Sequence, residues 1–399
     1  MSDARGTVGV GLASLLATKE IVVFCGSGGV GKTSVAASAG LAAATHLGGK
    51  VLVVTVDPAK RLADALGIEG IGNVERKVPD EAFARAGLTP RGELWAAMLD
   101  TKQSWDELVM RHAPDEETAH RILDNRLYDN LTARFVQSHD YVAMERLFDI
   151  HQTGNYDLIV VDTPPTRNAL DFLDAPARMA DFFGGRLLRW LTAPYRVGGK
   201  RGARMINVAS RPFYQMADRI LGSQFLQDIA EFFLNFQSMY DGFVTRSRSV
   251  EALLHDKRTT FIVVTTLEDA PLREGEQFCA ELVKRKFHLG ALVLNKTLPR
   301  SLFSPEGAAA AARLRADSAA VADEVPAIAD AAPGVVARVL TTIGTSFENF
   351  AVVARREEEL RHELAVRPDV VVDVPTFANE IADVGGLARI ASYLAPEGR

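Results

Sequence analysis

Residues 26–34 read Gly-Ser-Gly-Gly-Val-Gly-Lys-Thr-Ser and follow directly on the apolar, β-branched run 21–25. Glycines let successive backbone N–H groups close around an anion, and a helix starting there adds the positive end of its dipole. Gly26, Gly31, Lys32 and Thr33 fit the spacing G-x-x-x-x-G-K-[ST] of a phosphate-binding loop, with a strand before it and an Ala-rich helical pattern after it. In such a loop Gly26, Ser27, Gly28, Gly29, Val30, Gly31, Lys32, Thr33 and Ser34 surround the phosphates of ATP. Lys32 meets the β- and γ-phosphates, and the Thr33 hydroxyl ligates Mg²⁺. A mere glycine-rich turn needs neither the flanking elements nor the Lys-Thr ending.

Two carboxylates stand where such a loop needs them. Asp57 follows the apolar run 51–56, and Asp162 follows the run 158–161. Ligands of open α/β sheets bind at the carboxyl ends of parallel strands. There Asp57 can orient the attacking water or join the metal shell, while Asp162 can reach Mg²⁺ through water and its loop can sense the γ-phosphate. Either alone would serve equally as a helix N-cap, and only the nearby phosphate loop selects the chemical role. The expected catalytic residues are Asp57, Lys32 and Asp162, and the expected metal-facing residues Thr33, Asp57 and Asp162.

These positions demand a scaffold. Strand, glycine loop, helix (32 to about 46, closed at Gly49) and strand make a βαβ unit, which implies a mostly parallel sheet flanked by helices. Runs at 261–265, 291–294 and 370–374 bring the expected strands to six. The fold class is therefore α/β, a P-loop NTPase in a single domain over 1–399 with a helical insertion subdomain. The insertions fall at about 101–150, with helical spacing at 104–112 and 141–151, and at 169–255. The Ala-rich stretch 307–333, punctuated by Pro326 and Pro333, reads as packed helices of low information.

The later insertion is aromatic, and Leu226, Ile229, Phe232, Phe233 and Phe236 recur at helical spacing. A helical core is the commoner destination of such a stripe, and a groove for a hydrophobic client helix is the other. Between Asp181 and Asp218 there are seven Arg or Lys and no acid. This basic segment, 186–211, is either a solvated loop or a surface for membrane or partner.

Bulk composition removes other classes. A chain that is 47% hydrophobic with a net charge of -6 can bury a core, and it has no overall field to make nucleic acid an expected partner. Cys25 and Cys279 are the only cysteines, too few for a disulfide framework or a Cys-based zinc site, so no zinc is expected. No apolar window of about 18 residues occurs, and a cleaved leader would leave no room before the strand at 21–25. A soluble, cytoplasmic protein is expected, with transient contact at a membrane surface left open.

At this point the chain resembles the arsenite-pump and guided-entry (tail-anchored protein targeting) ATPases, within the dimeric deviant-Walker-A ATPases. The resemblance rests on Gly-Gly-Val-Gly-Lys-Thr at 28–33, Thr-Val-Asp-Pro-Ala-Lys-Arg-Leu-Ala-Asp-Ala-Leu at 55–66 and Asp-Thr-Pro-Pro-Thr-Arg-Asn-Ala-Leu-Asp-Phe-Leu at 162–173. It continues through 293–296, the pair Val374-Pro375 and the helix 386–394. It implies a Mg²⁺-dependent ATPase that cycles as a dimer and handles a client. Asp57 would be the switch I water-positioning acid and Asp162 the switch II acid, with Asn295 and Lys296 at the adenine-contacting strand end and Pro375 beside them.

Two departures shape the expectation. Where the family usually has a signature lysine that reaches the partner's nucleotide, this chain has Ser27. The missing charge must come from Lys60, Arg61 or Arg167, or from a paralogous subunit that keeps the lysine; a heterodimer is the favoured reading and a homodimer the alternative. The family's C-x-x-C pair and metalloid-binding cysteine cluster are also missing, so neither zinc dimerisation nor arsenite sensing is expected. Two further readings remain: a regulatory subunit that binds ATP but barely hydrolyses it, and a cytoskeletal or partition-type ATPase acting on membrane or DNA through the basic segment 186–211.

Overall fold

The computed structural model describes residues 11–395 except 57–60, 69, 71, 100, 126–127, 129–135, 165–173, 175–228, 230–231, 233, 236–238, 325–332, 366–367 and 369. Eight strands form one sheet: β1 (Ile21–Cys25), β2 (Lys50–Thr55), β3 (Arg76–Lys77), β4 (Glu93–Met98), β5 (Leu158–Asp162), β6 (Thr259–Thr265), β7 (Leu289–Thr297) and β8 (Val370–Pro375). Their order is β3-β4-β2-β5-β1-β6-β7-β8, and every pairing is parallel except β3 with β4.

All six expected strands are present. Two further strands, β3 and β4, lie between β2 and the insertion expected at about 101–150, where no strand was expected. β4, Glu-Leu-Trp-Ala-Ala-Met, has no β-branched residue and two alanines, so its local preference is not for a strand; pairing with β2 along its whole length overrides that preference. β3 is two exposed basic residues on the sheet edge, a composition that discourages pairing with another chain.

Alternate residues of the central strands feed opposite layers. Val22 and Phe24 pack with Val35 and Leu41 of the helix Lys32–Ala42 and with Leu387 and Ile390 of the helix Val384–Leu394. Ile21, Val23 and Cys25 pack on the other face with Met144 and Leu147 of Val136–Gln152, Leu253 of Tyr240–His255, and Phe278 and Leu282 of Asp269–Lys284. Each aliphatic side chain so buried stabilises by about 1.5–3 kcal/mol relative to exposure. This is why the strands read as unbroken apolar runs rather than alternating ones.

A separate apolar cluster joins Trp105, Leu108, Ile122, Tyr128 and Val142 to Phe232 and Met239. Phe232 is 2% exposed and thus a core residue, the commoner of the two destinations for its stripe. Phe233, Phe236 and the basic segment 186–211 lie outside the described residues. Beside this cluster Arg246 Nε donates to the buried Glu145 carboxylate at 2.6 Å and also pairs with Asp149, tying Tyr240–His255 to Val136–Gln152.

The Ala-rich region holds the helices Pro305–Ala316 and Ser318–Asp323. Pro333 is the first residue of the 31-residue helix Pro333–Glu363, where its missing N–H costs nothing. Among the described residues no helix is long and apolar enough to cross a membrane.

Candidate nucleotide-binding site

β1 is buried throughout and stops at Cys25, where the chain turns through 26–31 into the helix Lys32–Ala42. The N-cap of that helix, Gly31, has φ 87° and contributes no side-chain cap, which leaves the first N–H groups for a ligand. A Cβ on Gly31 would stand 2.3 Å from Asn295 Nδ2, and one on Gly26 2.2 Å from the Val264 carbonyl oxygen. The glycines are therefore required by the loop's close packing on β6 and β7 as well as by its conformation. Ser27 Oγ is buried with no hydrogen-bond partner among the described residues, and Ser34 lies half-buried in the first helical turn.

Sheet order brings the second half of the site to this loop. From β1 the chain crosses to β2 on one side of the sheet and later to β6 on the other, so the loop sits at a switch point of the topology. Register then sets Asp162, at the end of β5, beside both Phe24 of β1 and Thr55 of β2. The Thr33 hydroxyl donates to Asp162 Oδ2 at 2.7 Å, the Thr55 hydroxyl donates to the same oxygen at 3.0 Å, and Lys32 Nζ lies 3.9 Å from Oδ1. Asp162 is fully buried, and a carboxylate can remain charged there only with such compensation. The next residue, Thr163, donates its hydroxyl to the Phe24 carbonyl at 2.9 Å and so anchors the start of the segment that follows β5.

The structure thus unites Gly26 to Ser34 with Asp162. Asp57, with Lys60 and Arg167, lies outside the described residues, and Arg61 is the first residue of the helix Arg61–Leu66. Asn295 and Lys296, at the end of β7, reach the loop itself, donating to the Val30 and Gly29 carbonyls at 2.7 and 2.8 Å. Pro375 ends β8, paired with Thr297. Sequence reasoning assigned no role to Thr55 or Thr163. The available signal was a hydroxyl at the carboxyl end of a wholly apolar strand, a polar group that must find a partner when buried.

The donor set suits a hard cation: a hydroxyl and a carboxylate, both oxygen, at the start of the phosphate-loop helix. Thr33 and Asp162 would hold Mg²⁺, and the loop's N–H groups with Lys32 would hold the phosphates. The cysteines offer nothing comparable. They sit in the same apolar layer, Cys279 closer to Cys25 than their separation in sequence suggests, and burial pushes both thiols up to about 12. At about pH 8 the thiolate fraction is on the order of 10⁻⁴, so native protein is expected to resist iodoacetamide at both cysteines and to label only when unfolded. Intact-mass spectrometry checks this, and rapid labelling of native Cys25 would show that solvent reaches it.

A glycine-rich loop at a switch point of a mostly parallel sheet, with a carboxylate hydrogen-bonded to the Thr of the Gly-Lys-Thr ending, defines a P-loop NTPase. Residues 19–325 match the family described as "Anion-transporting ATPase", and the chain belongs to that family and is an ATPase. It is similar to "Putative arsenical pump-driving ATPase 1" of Aquifex aeolicus, with 24% identity over 301 residues, 72% of this chain and 65% of that protein's length. It is also similar to "ATPase ASNA1 homolog" of Entamoeba dispar, 25% identical over 71% of this chain and 77% of the relative. "ATPase BagA" of Mycobacterium tuberculosis is 23% identical and aligns over 100% of this chain and 98% of its own length.

Proposed function

We propose that this chain is a Mg²⁺-dependent switch ATPase, in which binding and hydrolysis of ATP open and close a dimer and helical insertions at about 101–150 and 169–255 carry the cycle to a client. The observation that carries this reading is the Thr33–Asp162 hydrogen bond. Through it one carboxylate links the phosphate-loop helix, the end of β2 by way of Thr55, and the start of the segment after β5. A ligand that engages Thr33 is therefore felt at both strand ends. When bound, Mg²⁺ would neutralise phosphate charge; Lys32 and the loop N–H groups hold the phosphates, and Asp57, two residues beyond Thr55, orients the attacking water.

Ser27 supports a heterodimer with a paralogous subunit that keeps lysine at this position, since serine brings no charge to the partner's nucleotide. For the client we propose an apolar membrane-protein helix received by the aromatic insertion. The Aquifex relative's name refers to an arsenical pump, but the buried, protonated Cys25 and Cys279 are poor ligands for a soft metalloid here.

Asp162→Asn tests the site. It is expected to raise the Mg²⁺ concentration needed for half-maximal ATP hydrolysis by about 10- to 100-fold while metal-free ATP binding changes little. An unchanged Mg²⁺ titration removes Asp162 from its role. Steady-state phosphate release by the purified chain separates the regulatory-subunit alternative: release abolished by Asp57→Asn supports the enzyme, and none above buffer supports the subunit.

A further inference from the structure

We propose that the long helix Pro333–Glu363 is an arm by which two copies of this chain pair, antiparallel, about a two-fold axis. This rests on the dimeric reading above and names a surface for it that needs no nucleotide. Val339, Ile343, Ser346, Phe350 and Val353 follow one another at spacings of four and three, and the alternation continues through Glu357 and Leu360 to Leu364. That is the 3.5-residue repeat of a coiled-coil seam, the pattern of a helix that lies along another helix. The last part of the seam is already used. Leu360 and Leu364 are buried in the same layer as Phe278 and Leu282, and Arg361 pairs with Asp373 of β8 at 2.7 Å. Glu357 accepts a hydrogen bond at 2.9 Å from Leu298 N, just past the end of β7. The turns before Glu357 therefore run on past the carboxyl edge of the sheet, the edge that carries the phosphate loop.

There the seam is bare. Val335, Val339, Ile343, Phe350 and Val353 are between 47% and 54% exposed, and seven of the thirteen well-exposed large hydrophobic residues among the described ones fall between Phe303 and Val353. The helices Pro305–Ala316 and Ser318–Asp323 pack on a different side of the arm, where Gly344 lies against Ala311 and Leu314. A concentrated apolar strip of this kind marks a contact surface. Its pattern selects a second copy. Antiparallel pairing about the midpoint between Ile343 and Ser346 sets Ile343 of each chain against Ser346 of the other and Phe350 against Val339, a large side chain against a smaller one in each layer. A two-fold contact needs this self-complementarity. Between Arg338 and Arg355 the only charged residue is Glu348, which Arg315 already pairs, so no like charges meet across the axis. A lipid surface fits less well, because the helix carries four Arg against five Glu and lacks the basic excess that anionic lipid attracts. The bare strip, about 27 Å long and about 10 Å wide, falls short of the roughly 800 Å² per partner of a stable interface, so the pair is expected to be reversible, with Kd on the order of micromolar.

Sedimentation velocity of the full chain at about 1–100 µM, without nucleotide and with MgATP, tests this. Wild-type chain should dimerise without nucleotide. Phe350→Glu should weaken that dimer by about 100-fold or more, since it sets a carboxylate into an apolar layer twice in one interface. Phe350 is exposed in the single chain, so the variant should melt with the wild type. A short bismaleimide reads the register. Ser346→Cys, beside the axis, should cross-link to its own copy, and Val335→Cys, at the far ends of the antiparallel pair, should not; the native Cys25 and Cys279 are buried. Cross-linking at Val335→Cys, or at neither position, overturns the antiparallel arm. A Phe350→Glu chain that dimerises like the wild type overturns it while keeping the dimeric reading, and so does a wild-type chain that pairs only with MgATP. A chain monomeric under both conditions removes the homodimer together with the arm. If that monomer floats with vesicles of phosphatidylcholine and phosphatidylglycerol, and Phe350→Glu does not, the strip belongs to lipid instead.

Discussion

Mixing this chain with a paralogous subunit that carries lysine at the position of Ser27 is expected to raise ATP turnover by about 10³-fold or more, the usual contribution of a cation supplied in trans to phosphoryl transfer. The site has a deficit for such a cation to fill. Lys32 stands beside the buried Asp162 carboxylate, so part of its charge is already balanced within the chain. Lys296 is bonded to the Gly29 carbonyl, and Ser27 is neutral. Installing the charge directly, as Ser27→Lys, should raise turnover of this chain alone by letting identical subunits exchange it. The competing source is internal. If the isolated wild-type chain hydrolyses ATP as fast as the mixture and loses that activity on Arg167→Ala, the heterodimer fails and the cation belongs to the segment after β5.

Lys32→Ala is expected to lower kcat/KM for ATP by about 10²- to 10³-fold, the loss typical of removing one preorganised charge-stabilising donor. Stability should fall too, because Lys32 and Asp162 are both buried and the variant removes a cation 3.9 Å from the carboxylate. Removing one partner of a buried pair costs about 3–5 kcal/mol at worst. The Thr33 and Thr55 hydroxyls remain, so the low end of that range applies. The double variant Lys32→Ala with Asp162→Asn separates the two effects: it should recover thermal stability without recovering turnover, since it removes the unbalanced charge but not the need for a cation. Wild-type nucleotide affinity in a folded Lys32→Ala protein would overturn the phosphate-loop assignment.

What could be read without coordinates was whatever the chain encodes locally. Gly26, Gly31, Lys32 and Thr33 act within one turn of chain, and the strand and helix that flank them are continuous in sequence, so spacing alone specified the loop. β1, β2, β5, β6 and β7 were readable because burial on both faces leaves an apolar run, and the edge strand β8 because four of its six residues are valine. β4 was not, because only its pairing with β2 makes a strand of an Ala-containing segment.

By itself, then, the sequence determined that a phosphate loop exists, that it lies in an α/β sheet, and that Asp162 closes an apolar run. Which groups meet that loop was decided by tertiary structure. Thr55 reaches Asp162 because β2 pairs with β5, and Asn295 and Lys296 reach Val30 and Gly29 because β7 lies two strands from β1. Phe232 became core because its cluster draws on residues from 105 to 239, a packing no single helical stripe reveals. The reason is shared: local spacing sets which way a side chain points along its own element, but what it meets is chosen by strand order and register for the first two and by the packing of helices distant in sequence for Phe232.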